Sequence, residues 1–318
     1  MMRYLLAKRY LLALSAVSLM LTLSGCDFDD VGSMTREKED FHYGYDVAPG
    51  GRLTVENFNG SVEIYGWDQN KVEINGSKYA STRAQLDEMK VDVASSAGLV
   101  SVRTLAPPMT GWRNNRGVKY VIHVPRKTRL ERIESSNGTI RAENIEGEAR
   151  LVTSNGTVRL MKYQGTVDAR TSNGTIALEE FEGAATLVTS NGAINATGVR
   201  GYIDATTSNG PITTSVTEAT LSRPMKLRSS NGPVTFTVLG NRVPDVDART
   251  SNGPITLRLP GTANAKLRAH TSNSQVSCDF GLNKVMLQSK TEVEGEIGDG
   301  GPVLALTTSN GHIRVTRN

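Results

Sequence analysis

The sequence predicts an all-β protein built as a parallel β-solenoid, with about 18–22 residues in each coil. Three observations predict it. Glycine is abundant, with 31 in 318 residues, aromatics make up only 5%, and Val, Ile, Thr and Ser recur, a composition suited to short strands and tight turns. A Ser-Asn motif, nearly always completed by Gly, returns at near-constant spacing, its asparagines being Asn137, Asn155, Asn173, Asn191, Asn209, Asn231, Asn252, Asn273 and Asn310. Apolar residues alternate with polar ones on both sides of each copy, the period of a strand with one buried face.

The chain opens with Arg3, Lys8 and Arg9, then an apolar run from Leu11 to Leu23, then Leu23-Ser24-Gly25-Cys26. Residues 1–25 read as an export signal, the apolar run being too short for a membrane span. A cysteine directly after Leu-Ser-Gly resembles the bacterial lipoprotein signal, which implies acylation of Cys26. Two or three acyl chains, palmitate among them, would hold the protein stably on a membrane facing the periplasm or the exterior. Without the three basic signal residues the formal charge falls from +4 to about +1, 33 basic against 32 acidic, which argues against nucleic-acid binding. With Cys26 acylated only Cys278 remains, so no internal disulfide is expected.

Residues 26–48 carry the charged run Thr35-Arg36-Glu37-Lys38-Glu39-Asp40 and read as a flexible tether. Residues 49–130 alternate as strands, for example Leu53/Val55, Val62/Ile64, Val72/Ile74 and Tyr120/Ile122, with one short helix predicted between Ser81 and Met89, capped by Ser81 or Thr82. Asn59-Gly60-Ser61-Val62 is an early copy of the corner.

Residues 131–318 are the repeat itself. Successive asparagines lie 18, 18, 18, 18, 22, 21, 21 and 37 residues apart, and the last gap contains a degenerate copy with Lys290 in the Asn position. Three residues after the Asn stands a β-branched residue (Ile140, Val158, Ile176, Ile194), ten after it a Gly (Gly147, Gly165, Gly183, Gly201), and sixteen after it a Thr (Thr153, Thr171, Thr189, Thr207). Each unit is therefore strand, corner, strand, corner. In coils stacked about 4.8 Å apart, the asparagines fall on the side of the buried aliphatics and can bond one another in a ladder. On that reading Asn173→Ala would cost a few kcal/mol, through neighbouring amides left unpaired. Asn-Gly between alternating runs is also a hairpin signal, so an antiparallel meander of Asn-Gly hairpins is the alternative. Near-invariant Asn favours the ladder, because a hairpin would accept Asp-Gly or Gly-Gly equally.

Leu53-Thr54-Val55 before Asn59-Gly60-Ser61-Val62, then Gly66-Trp67-Asp68, then Val124-Pro125-Arg126 leading into Ser135-Ser136-Asn137-Gly138, resemble the bacterial putative-adhesin domain family of unknown function. The resemblance spans roughly residues 50–318. It implies a β-solenoid-like fold on exported or membrane-attached proteins, some linked to envelope stress, and it supplies no catalytic residues.

No catalytic set emerges from the residues. His42, His123, His270 and His312 have no metal-ligand spacing, so neither metal nor cofactor is expected, and Cys278 reads as a small core residue. Two surface features point toward a partner, an envelope protein or a glycan: an outward basic line of Arg228, Arg249 and His270 on consecutive coils, and the Pro107–Arg116 loop with Trp112 and Arg113. The expected function is a lipid-anchored cell-envelope binding or scaffolding module without catalysis. The alternatives are an envelope polysaccharide-binding or polysaccharide-cleaving β-helix protein, which would need carboxylates or aromatics clustered on one outer face, and an envelope-stress sensor.

Overall fold

The computed structural model describes residues 37–107, 116–219 and 223–318. The signal sequence, Cys26, Trp112 and Arg113 lie outside the described residues. The N-terminal part comprises β1 (Glu37–Asp46), β2 (Gly51–Asn57), β3 (Val62–Trp67), β4 (Lys71–Ala80), α1 (Arg83–Asp87), β5 (Lys90–Ser96), β6 (Leu99–Leu105) and β7 (Gly117–Pro125). The regular coils follow as β8 (Thr128–Ser135), β9 (Ile140–Glu143), β10 (Glu146–Thr153), β11 (Val158–Arg170), β12 (Ile176–Val188), β13 (Ile194–Thr207) and β14 (Ile212–Ala219). Shorter strands continue the stack: β15 (Met225–Ser229), β16 (Val234–Val238), β17 (Val246–Arg249), β18 (Ile255–Leu259), β19 (Ala265–Thr271) and β20 (Val276–Cys278). The chain closes with β21 (Leu282–Gln288), β22 (Glu292–Ile297), β23 (Val303–Thr308) and β24 (Ile313–Arg317).

Pairing is parallel from coil to coil, as in Val158↔Ile176↔Ile194↔Ile212 and Ala149↔Val167↔Ala185↔Ile203. This is the solenoid and not the meander: the strands flanking each Asn-Gly pair with the coils above and below. Two ladders result. One holds the strands after each Asn corner, from β1, β4, β7, β3 and β9 onward to β18, β24 and β20. The other holds the strands before it, from β5, β6, β2, β8 and β10 to β17, β23, β19, β22 and β21. Strands β11, β12 and β13 serve both, bending at the second corner, where Lys162, Glu180 and Gly198 take φ of 49°, 53° and 66°.

The apolar core is continuous from Val47 to Val315, so the two regions expected at 49–130 and 131–318 share it. Each Val, Ile or Leu fully buried there contributes about 1.5–3 kcal/mol relative to exposure. Helix α1 sits aside, burying Leu86 against Ala80 and Met89, with the Gln85 N–H donating to the Thr82 hydroxyl at 3.3 Å as the cap.

Two expectations are corrected by the strand order. Residues 37–46 are not tether: Phe41, Tyr43 and Tyr45 pack on the core from β1, which pairs antiparallel with β4 (Tyr43↔Ile74). Alternate aromatics under a charged sequence made the strand. Lys290 does not hold a degenerate corner either, because Ser289–Thr291 turn the chain between the antiparallel β21 and β22 (Gln288↔Val293). The coil of β23 and β24 then enters between two earlier coils, β23 pairing with both β17 and β19, and β24 with both β18 and β20.

The corner and the candidate binding face

The repeated tetrapeptide builds two columns at every corner. In the outer one, each Asn after the first donates from Nδ2 to the Oδ1 of the Asn before it at 2.7 Å, in the spatial order Asn137, Asn155, Asn173, Asn191, Asn209, Asn231, Asn252, Asn310, Asn273. The ladder therefore exists, but its asparagines are exposed and not buried, and Asn310 stands between Asn252 and Asn273.

The inner column is the buried one, and reading the sequence missed its role. Thr189 is 3% exposed; its Oγ1 accepts from the Gly192 N–H at 3.2 Å and donates to the Gly174 carbonyl of the coil before at 3.1 Å. Thr153, Thr171, Thr207, Thr250 and Thr308 repeat this relay, and Ser229 substitutes for Thr in one coil. A hydroxyl thus satisfies two buried backbone groups that the tight corner removes from water. Gly is required beside it, since a Cβ on Gly174 would lie 1.7 Å from the Gly156 carbonyl oxygen.

Corners being structural, candidate sites lie among the outward side chains of the ladders. At the N-terminal end of the first ladder, strand alternation puts Val72, Ile74, Tyr120, Ile122, Val62 and Ile64 inward and the intervening residues outward. Register then sets His42 beside Asn75, Glu73 beside His123, His123 beside Tyr65, and Glu63 beside Arg141. The His123 ring stacks on Trp67 with centroids 5.0 Å apart and lies 5.7 Å from Tyr65, while the Arg141 guanidinium sits 5.7 Å from the Tyr65 ring centre. The Tyr65 hydroxyl donates to Glu63 at 2.8 Å, and Arg141 pairs with Glu143 at 2.7 Å. Partial burial, then the hydrogen bond to Glu63, pushes the Tyr65 hydroxyl above its usual range; the bond from Lys71 holds the Glu73 carboxyl below its own. Buried within the cluster, His123 Nδ1 and Arg141 Nε have no hydrogen-bond partner among the described residues.

Beside this cluster an open cleft of about 590 Å³ is lined by Asp40, His42, Asn75, Ser77, Lys119 and Val121, together with Phe41 and Gly76. Such a volume falls within the range of small-ligand sites. Trp67 and Asp68 also tie the face together, the Trp67 Nε1–H donating to the Lys71 carbonyl at 2.8 Å and Asp68 pairing with Arg126 at 2.6 Å. Further along the same ladder the outward positions become Asn195, Thr213, Thr235 and Thr256, so the aromatic cluster belongs to the first coils.

The expected basic line is interrupted, Arg228 standing opposite Arg249 but His270 being separated from them. Thr307 stands between Arg249 and His270 because of the inserted coil. Arg228 and Arg249 both pair with Asp247, at 2.9 and 2.6 Å, and His270 Nδ1 is 3.8 Å from Glu292. Opposite charges on the neighbouring outward positions relieve the repulsion that a bare basic row would carry. Cys278 is half-buried against the core, and burial pushes its thiol up, away from the reactive thiolate. Among the described residues no group of three His, Cys, Asp or Glu side chains could hold a metal ion.

No family model matches the chain, and no curated protein does. A "putative cell adhesion protein" from Clostridium sporogenes is similar at 11% identity, over 89% of this chain and 100% of that one, with a TM-score of 0.25. A "putative adhesin" from Bacteroides fragilis is similar at 12% identity, over 88% of this chain and 97% of that one, with a TM-score of 0.42. At that distance the function has to be argued from this chain's own residues.

Proposed function

We propose that this protein is a lipid-anchored cell-envelope module that binds or scaffolds and carries out no reaction. The observation that carries the reading is the outward cluster of Tyr65, Trp67, His123 and Arg141 beside a cleft, on a stack whose corners are consumed by structural hydrogen bonds. Rigid coils suit a presenting surface, since each needs only its neighbours for support. Acylated Cys26 would precede β1 by eleven residues, a span of at most about 40 Å, so this face would work close to the membrane.

The aromatic cluster favours one second reading, a polysaccharide as ligand. Ring faces stack on the apolar faces of sugars, while Asn75, His42, Glu63 and Arg141 offer the mixed donors and acceptors that hydroxyls need. The test is pelleting of the protein with insoluble envelope polysaccharide. Tyr65→Ser with His123→Ser should leave the protein in the supernatant, and Arg228, Arg249 and His270 changed together to Ser should pellet like the parent. Equal pelleting by the Tyr65/His123 variant would remove this face as the site, and release of reducing ends would replace binding by cleavage.

A further inference from the structure

We infer that the slot between the β17–β18 coil and the β19–β20 coil is a strand-acceptor site, and that residues 302–318, which fill it, can be donated by a second copy of this chain. Within the Asn column chain order and stacking order disagree only here: Asn252, Asn273 and Asn310 follow one another in sequence, whereas Asn310 lies between the other two in space. The β19–β20 coil did not need the insert in order to stack. Asn273 follows Asn252 by 21 residues, the same interval as Asn231 to Asn252, and Leu267, Ala269 and Thr271 match Val246, Ala248 and Thr250. Either coil can therefore occupy the β17–β18 edge.

The slot is lined with backbone groups on both sides and the insert satisfies them. Thr250 N–H donates to Thr307 O at 3.0 Å and Ile255 N–H to His312 O at 2.9 Å on one side; Ile313 N–H donates to Gln275 O at 3.0 Å on the other. Side chains seal it further: the Asp245 carboxylate accepts from Val303 N–H at 2.6 Å, and the Thr271 hydroxyl donates to Gly311 O at 2.9 Å. None of these contacts depends on the insert belonging to the same copy.

The connection to the preceding hairpin is the kind that can open. Gly298, Gly300 and Gly301 take φ of 57°, 78° and 134°, and the turn is held by Asn264, whose Oδ1 accepts from Asp299 N–H at 2.9 Å. Such a turn can straighten and pass the next two strands to a neighbour, which exchanges identical contacts and costs little. Confinement to a membrane surface would raise the local concentration of copies and favour the exchange.

The experiment uses the full chain in its own membrane, with Cys278→Ser throughout. One tagged copy carries Arg249→Cys and a differently tagged copy Thr307→Cys, positions opposite each other in register and both exposed. Exchange gives, on oxidation, a species bearing both tags at twice the mass of one chain. Deleting Gly300 and Gly301, which shortens the turn needed for closure within one copy, should increase it. The proposal is overturned if only a single chain carrying both substitutions forms the bridge while the mixed copies stay at monomer mass, with or without the deletion. It is equally overturned if Arg159→Cys, which does not face Thr307, crosslinks to Thr307→Cys as readily, since that reports collision alone.

Discussion

Replacing Thr189 by Val tests where the corner gets its strength. Val keeps the shape of the side chain and its place in the wall of the core, and removes only the hydroxyl. That oxygen accepts from the Gly192 N–H and donates to the Gly174 carbonyl, at 3.2 and 3.1 Å, both glycines being buried. Stranding a buried polar group costs about 1–3 kcal/mol, so the two together should cost about 2–4 kcal/mol after some relaxation. For a domain of this size that is a fall in Tm of roughly 3–8 °C. Asn173→Ala is the comparison. It breaks two amide bonds of 2.7 Å, to Asn155 and from Asn191, but these amides are exposed and water replaces the lost partner. Its cost should be about 1 kcal/mol, not the few kcal/mol expected when the ladder was placed inside. Thermal or urea unfolding of the two variants decides the matter. If Asn173→Ala proves as damaging as Thr189→Val, the hydroxyl relay is not what holds the corner.

Two further outcomes follow from the backbone and from burial. Glu180 is exposed and holds φ of 53°, where the next coil has Gly198, so Glu180→Gly should stabilise by about 0.5–1 kcal/mol; Glu179→Gly, on extended backbone, should destabilise, and a reversed order in unfolding midpoints would refute the assignment of strain. The Tyr120 hydroxyl, 2.6 Å from the Thr104 hydroxyl, is pushed by burial from the ordinary 10.0 up to about 12. Because the folded value lies above the unfolded one, this contribution is intact below pH 10.0 and is lost as the pH rises toward about 12. Burial moves Tyr163 in the same direction, so the Tm should fall across that window, less steeply with both residues changed to Phe. An unchanged fall in the double variant would place the titrating groups elsewhere.

Much of this architecture was legible from spacing. The β-branched residue three after each Asn and the Gly ten after it in the regular copies foretold two strands and two corners, and the cap of α1 was narrowed to Ser81 or Thr82, of which the structure uses Thr82. The exposure of the asparagines was not, because parity along a strand does not survive a corner, and the inward Thr was noted without the two glycine backbone groups that need it. The insertion did leave a trace. Ser274 follows Asn273 where the other column asparagines have Gly, so that corner cannot keep the close approach to a neighbouring glycine carbonyl that the others keep, and the 37-residue gap from Asn273 to Asn310 holds the antiparallel β21 and β22 in place of a coil. The candidate face was the least legible part, since it joins residues from 42 to 143 through register alone.

The outer Asn column also bears on how long such a protein lasts. Asn-Gly is the dipeptide that most readily loses its side-chain amide, because the glycine nitrogen, unhindered by a side chain, can attack the amide carbon and close a five-membered imide. Eight asparagines of the column are followed by Gly, which in a mobile chain would make eight sites of slow chemical ageing. In the stacked coils each of those glycine nitrogens from Gly156 to Gly311 points its hydrogen at a Thr or Ser hydroxyl, and the amide it would attack is held by its neighbours. The hydrogen bonds that close each corner thus also keep nucleophile and target apart, and slow this chemical ageing in the folded coils.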